Sequence, residues 1–303
     1  ERFLSLDDGP WRFRWVENAH QRPVDFQAVD YDDSGWDTLS TPGLWELHGY
    51  GDPVYVNIGF AWRGHYTDNP PEVPVRGNHV GSYRKHVTLP AGWQGQQVIA
   101  HFGSVTSNIY LWVNGHWAGY AEDSKLAAEF DITPFVKPGK NLVAFQTFRW
   151  CDGSYCEDQD FWRFSGVARD SYLYCRDKEV HVDDIRITSD LTDNYKDGVL
   201  KIATKATGDA VVDYKLIDAD GKVVATATGL DTEMRLADCE RWTAETPYLY
   251  TLVAEVKAPA TVKKIGRKKV KTDERRVEYI AQRVGFRKVE IVGDRFLVNG
   301  QPI

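Results

Sequence analysis

The 303-residue sequence predicts an all-β protein built as two consecutive sandwiches. Three observations carry that expectation. Short alternating or β-branched runs recur between Gly, Pro, Asn and Asp, and sustained helical periodicity is almost absent. Ten of the eleven tryptophans precede residue 176, after which charged alternation replaces the aromatic texture. That change puts a boundary near Arg176-Asp177-Lys178 and divides the chain into domains 1–176 and 177–303.

In the first domain the clearest strands are 82–89, 97–102, 107–113, 141–149 and 171–175. Asn114-Gly115 lies between two apolar runs and predicts a type I′ hairpin, because both turn positions need positive φ. Pro134 and Pro138-Gly139 punctuate the approach to the run Leu142-Val-Ala-Phe145. Two-layer packing of these strands makes a β-sandwich. The second domain shows about seven short strands, including 200–204, 211–217, 222–226, 250–256, 275–281 and 287–291, with a turn at Asp218-Ala-Asp-Gly221. That count over roughly 100 residues is the pattern of an immunoglobulin-like sandwich. Asn299-Gly300 then opens a last hairpin.

Apolar residues make up 42% and charged residues 27%, an ordinary globular balance. A formal net charge of -7 argues against nucleic acid, whose binding rests on neutralising phosphates. The basic run from Lys263 to Lys271 reads as a solvated hairpin or loop. No apolar run approaches the ~20 residues that span a bilayer, so no membrane partner is expected. The only methionine is Met234, so Glu1 is expected to be a trimmed N-terminus, and the compartment, cytoplasm or periplasm, stays open. Cys151, Cys156, Cys175 and Cys239 lack metal-ligand spacing and are expected as free thiols, with a local Cys151–Cys156 bridge sterically allowed.

Residues 149–163 read Arg-Trp-Cys-Asp-Gly-Ser-Tyr-Cys-Glu-Asp-Gln-Asp-Phe-Trp-Arg: four acids, four aromatics and two arginines. Carboxylates accept hydrogen bonds from sugar hydroxyls or hold a cation that does so, and aromatic faces cover the apolar side of a pyranose. The plainer reading is an acidic loop pinned by buried Trp150 and Trp162 and salt-bridged by Arg149 and Arg163. Trp11, Trp15, Trp36, Trp45, Trp62, Trp93, Trp112 and Trp117 read mainly as core or edge-covering rings, with a flat polysaccharide platform as the alternative. Glu46 and His48 read as a satisfied loop network.

Trp45-Glu-Leu-His-Gly-Tyr50, Asp52-Pro-Val-Tyr-Val-Asn57, Leu111-Trp-Val-Asn-Gly115, Asp123-Ser-Lys125, Arg149-Trp150, Asp152-Gly-Ser-Tyr155, Glu157-Asp-Gln-Asp160, Trp162-Arg163, Arg169-Asp170 and Gly285-Phe-Arg287 follow one another in order. Together they resemble the N-terminal region of the bacterial β-galactosidases of glycoside hydrolase family 2, over nearly the whole chain. The resemblance implies a jelly-roll, galactose-binding-like sandwich followed by an immunoglobulin-like sandwich. A (β/α)₈ barrel carrying both catalytic glutamates would come next, after the hairpin Asn299-Gly-Gln-Pro302. This chain then looks like two leading domains without catalytic residues of their own, inactive alone.

Two positions carry over from the motif. Asp160 matches the aspartate that ligates a sodium ion and meets the galactose 6-hydroxyl, and Asn57 matches the asparagine that contacts substrate hydroxyls. Asp152, Glu157 and Asp158 are expected to hold the loop in shape. Magnesium is expected in the whole enzyme on ligands outside these residues, as are β-galactosides such as lactose, the enzyme's own barrel and a homo-oligomer as partners. β-Glucuronidase or β-mannosidase specificity is the weaker expectation within the family. A freestanding carbohydrate-binding protein and a structural tandem sandwich are rivals from other classes.

Overall fold

The computed structural model describes residues 2–303 apart from 58, 60, 61, 67, 68, 158, 266 and 267, and of residues 262–265 and 268–271 the backbone only. Asp158 and the side chains of the basic run therefore lie outside the described residues. Two compact units, Glu1–Cys175 and Arg176–Ile303, divide the chain.

The first unit is a jelly-roll sandwich. Its larger sheet orders the strands His116–Glu122, Asn108–Val113, Gly139–Phe148, Val80–Leu89, Trp11–Val16 and Asp37–Leu39. Its smaller sheet orders Phe3–Ser5, Ser171–Arg176, Gln97–Phe102 and Ala128–Asp131. Alternation along each strand sends one set of side chains inward. Trp11, Phe13, Trp45, Tyr83, Phe102 and Phe145 are fully buried between the layers. Tyr83 and Phe145 stack at 4.2 Å, and the Trp45 indole donates to the Tyr83 hydroxyl at 2.6 Å, so the one polar atom of that ring is satisfied. A Cβ on Gly81 would stand 2.3 Å from Trp45, so only glycine lets the Val80–Leu89 strand pass beneath that indole. The expected hairpin is present, with Asn114 at φ 51 and Gly115 at φ 84.

The second unit is an immunoglobulin-like sandwich of three and four strands. One sheet orders His181–Thr192, Asp197–Thr207 and Asp231–Leu236; the other orders Val223–Thr228, Val211–Ile217, Tyr250–Ala258 and Arg275–Val284. Leu200, Val212, Leu216, Val256 and Phe286 fill its core. The His181–Thr192 strand was not named from the sequence: Ile185, Ile187 and Leu191 alternate with outward Arg186, Thr188 and Asp190, but the bulge between Val182 and Asp184 breaks the period at its start. The strand expected at 287–291 forms instead as Val289–Val292, outside the sandwich, in a small sheet with Arg295–Val298 and Gln301–Pro302. The basic run lies on a hairpin of Thr261–Ile265 with Lys268–Thr272. Among the described residues no helix is long and apolar enough to cross a membrane. All four cysteines are free thiols, Cys156 exposed and the others buried.

Candidate functional site

The acidic, aromatic segment leaves the sandwich where the Gly139–Phe148 strand ends. The backbone N–H of Arg149 donates to the His79 carbonyl at 2.8 Å. Trp150 is then clamped by the buried amide of Asn78, whose Oδ1 accepts from the Trp150 N–H at 2.9 Å and whose Nδ2 donates to its carbonyl at 3.1 Å. The Trp150 ring meets Trp62 edge-on at 5.5 Å. After a 3₁₀ turn, Asp152–Cys156, the chain pairs as Phe161–Arg163 with the distant strand Val54–Val56.

That two-stranded ribbon brings the two sequence candidates together. Its register sets Phe161 opposite Val56 and Trp162 opposite Tyr55. Asp160 immediately precedes Phe161 and Asn57 immediately follows Val56, so both stand at the same end of the ribbon, exposed. The Tyr55 hydroxyl donates to Asp160 Oδ1, a contact between residues 105 apart in sequence. That bond to the carboxylate raises the Tyr55 pKa, because ionising the phenol would set two negative charges together. The Tyr55 ring lies 5.6 Å from Trp162. Trp162 is 52% exposed, a correction to the expectation that it is buried: among the described residues its strand pairs only in a two-stranded ribbon, with no second layer over that face.

The supports differ from the expected salt bridges. Arg149 lies over the Trp150 ring at 5.0 Å and donates to the Asp52 carbonyl at 3.3 Å, joining the two chain segments that lead into the ribbon. Burial lowers its pKa, and burial beside it holds His79 at about 4. Arg163 lies 4.3 Å over Phe161 and donates to the Gln159 carbonyl at 3.0 Å. Glu157 accepts from the Ser124 N–H at 2.9 Å and from its hydroxyl at 2.7 Å, so this acid does hold the loop in shape. Glu46 departs from the expected satisfied network. It is 91% buried on a 3₁₀ turn, Trp45–His48, where Oε2 accepts from the Ser165 N–H and Oε1 has no partner among the described residues; burial raises its pKa.

Asp152 joins Glu122 and Cys151 in a group whose ligand atoms lie within 4.8 Å of one another. Burial pushes the Cys151 thiol up to about 11, so it stays protonated and donates to Glu122, which also accepts from the Gly153 N–H at 2.9 Å. Tyr55 was given no role in the sequence reading, and Arg149, read there as a salt-bridge partner, instead ties the Asp52 carbonyl to the Trp150 ring. The pairing of strands that aligns Tyr55 with Trp162 was the signal, and local periodicity does not contain it.

Residues 3–177 match the sugar binding domain of the glycosyl hydrolases family 2, and residues 180–287 match the glycosyl hydrolases family 2 model that follows. The chain is 36% identical over 308 residues to a beta-galactosidase of Halalkalibacterium halodurans and 36% identical over 321 residues to one of Priestia megaterium. These alignments take in 98% and 99% of this chain but 29% of either relative. Among solved structures, a beta-glucuronidase from an uncultured Clostridium sp. shares the fold with a TM-score of 0.73 at 18% identity, over 99% of this chain and 47% of that one. Two consecutive domain matches that together span nearly all of it show that the chain belongs to glycosyl hydrolase family 2.

Proposed function

We infer that the chain forms the non-catalytic, substrate-shaping part of a retaining β-galactosidase that releases terminal non-reducing β-D-galactose, with lactose among its substrates. Retention needs an acid to protonate the leaving oxygen and a second carboxylate about 5 Å away to attack the anomeric carbon. In this reading both belong to a barrel outside these residues. The observation that carries the proposal is the ribbon end, where Asn57 and Asp160 stand together and Tyr55 holds the Asp160 carboxylate.

Asn57 offers an amide that both donates to and accepts from hydroxyls, and Asp160 offers a hard carboxylate oxygen. Such donors fit part of a sodium ion's coordination, the remainder coming from the barrel; the bound ion would supply positive charge toward a sugar hydroxyl oxygen. Tyr55 keeps the carboxylate turned to that side. Magnesium and homo-oligomer formation belong to the same reading of the whole enzyme.

The 303-residue chain alone should give no turnover of a chromogenic β-galactoside above buffer. Turnover that an Asp160→Ala change abolishes would overturn the assignment of catalysis to the barrel. In the barrel-bearing enzyme, Asp160→Ala should remove the sodium dependence of kcat/KM; a dependence like the parent's would refute the role given to Asp160. The match of residues 3–177 to a sugar binding domain also favours a second reading, a carbohydrate-binding protein without catalysis. Micromolar galactose binding by the isolated chain in calorimetry would select it.

A further inference from the structure

The smaller sheet of the first unit carries a set of rings that the ribbon site does not use. Along these strands Leu4, Leu173, Ala100 and Phe102 point into the core, which turns Phe3, Tyr172, Tyr174 and His101 to the opposite face. Register sets Phe3 opposite Tyr174 and His101 opposite Glu129, so the five residues cross all four strands. Phe3 meets Tyr172 at 5.6 Å and Tyr174 at 6.0 Å, and His101 stacks on Tyr172 at 4.4 Å with 12° between the rings. Glu129 faces this surface: its Oε1 pairs with His101 Nδ1 at 2.9 Å, and Tyr174 donates to its Oε2 at 3.3 Å. Phe3 is 61% and Glu129 49% exposed.

We propose that this face is a second carbohydrate site, a stacking platform for a neutral, flat β-linked glycan, distinct from the ribbon end and independent of the reading given to it. The width argues for a chain of sugars rather than one. The rings run from the outer strand to the third, about two strand spacings or roughly 10 Å, the length of about two pyranose units. Exposed Phe3 and half-buried Tyr174, tilted 33° from it, supply faces for sugar C–H groups, while His101 covers one face of Tyr172. The Glu129 carboxylate, with about four acceptor sites, retains capacity for hydroxyl donors beyond its protein bonds.

The same geometry disfavours other occupants. An apolar protein face would cover the half-exposed Glu129 carboxylate and add no donor to those of His101 and Tyr174, which is costly. An anionic glycan would meet that carboxylate with like charge. A quaternary ammonium needs rings spaced to form a cage, whereas these rings pack directly on one another.

The test is titration of the ¹⁵N-labelled 303-residue chain with cellotetraose, β-1,4-xylotetraose and an oligogalacturonate, followed by amide shifts. Either neutral tetrasaccharide should shift the amides of residues 3–5, 99–101, 129 and 172–174, and the oligogalacturonate should not. Tyr172→Ala and Tyr174→Ala should each weaken binding about tenfold or more. Glu129→Gln, which leaves the ring packing intact, should weaken it less, and Asp160→Ala should leave it unchanged. Silence up to about 10 mM sugar, a stronger response to the anionic glycan, or shifts that move to residues 149–163 and vanish in Asp160→Ala would each overturn the proposal. So would self-association through this face, seen as a concentration-dependent mass that Tyr174→Ala abolishes.

Discussion

Replacing Glu157 by alanine should loosen the loop that carries Asp160 and destabilise the first unit by about 3 kcal/mol. The carboxylate accepts two charge-assisted bonds from Ser124, at 2.9 Å from the N–H and 2.7 Å from the hydroxyl. Ser124 is fully buried. Its N–H and its hydroxyl both donate to Glu157, so truncation strands a buried N–H and a buried O–H at about 1–3 kcal/mol each, less what relaxation restores. Glu157→Gln keeps one acceptor and should retain about half of the stabilisation. Urea unfolding followed by tryptophan fluorescence isolates the effect, because ten of the eleven tryptophans lie in the first unit. By the scaling for a unit of this size the Tm should drop by about 6–12 °C. A loss for Glu157→Ala below about 1 kcal/mol, or equal losses for Ala and Gln, would refute the claim that this pair of bonds holds the loop.

His79 is held neutral by burial beside Arg149, with a pKa near 4 against 6.5 for the free side chain. The unfolded chain then binds the extra proton first, so stability present above pH 6.5 is lost as the pH falls toward about 4, and His79→Gln should flatten that part of a pH–stability curve. Gly81→Ala forces a Cβ to within 2.3 Å of the Trp45 ring and should cost about 1–3 kcal/mol in denaturant unfolding. Tyr55→Phe removes the bond to Asp160 while keeping the ring on Trp162. In the barrel-bearing enzyme it should raise the sodium concentration giving half-maximal activity several-fold, with the chain's unfolding midpoint unchanged; an unaltered sodium titration would show that Tyr55 does not position the carboxylate.

Much of this was legible along the chain, where the cause is local. Asn114-Gly115 requires positive φ at two adjacent residues, so its hairpin can be read from four or five positions. The alternation of 97–102 and 171–175 shows which side chains face a core. Trp162 misled because a tryptophan ordinarily repays burial, and nothing in its neighbours tells that its strand pairs in a ribbon of two. Glu46 misled differently: with His48 it reads as a satisfied loop network, yet the 3₁₀ turn points it inward beneath Ser165 with Oε1 unpartnered among the described residues.

By itself the sequence determined the all-β class, the two sandwiches, the family resemblance and the choice of Asn57 and Asp160, because side-chain period, turn chemistry and motif order are properties of the chain taken in sequence. Tertiary structure decided which of those residues meet. Pairing of Phe161–Arg163 with Val54–Val56 sets Asn57 beside Asp160 and delivers Tyr55 to its carboxylate across 105 residues. The strand order of the smaller sheet likewise assembles Phe3, His101, Glu129, Tyr172 and Tyr174 on one face from four separate stretches. Strand partners are chosen by the packing of whole layers, and no local period records that choice.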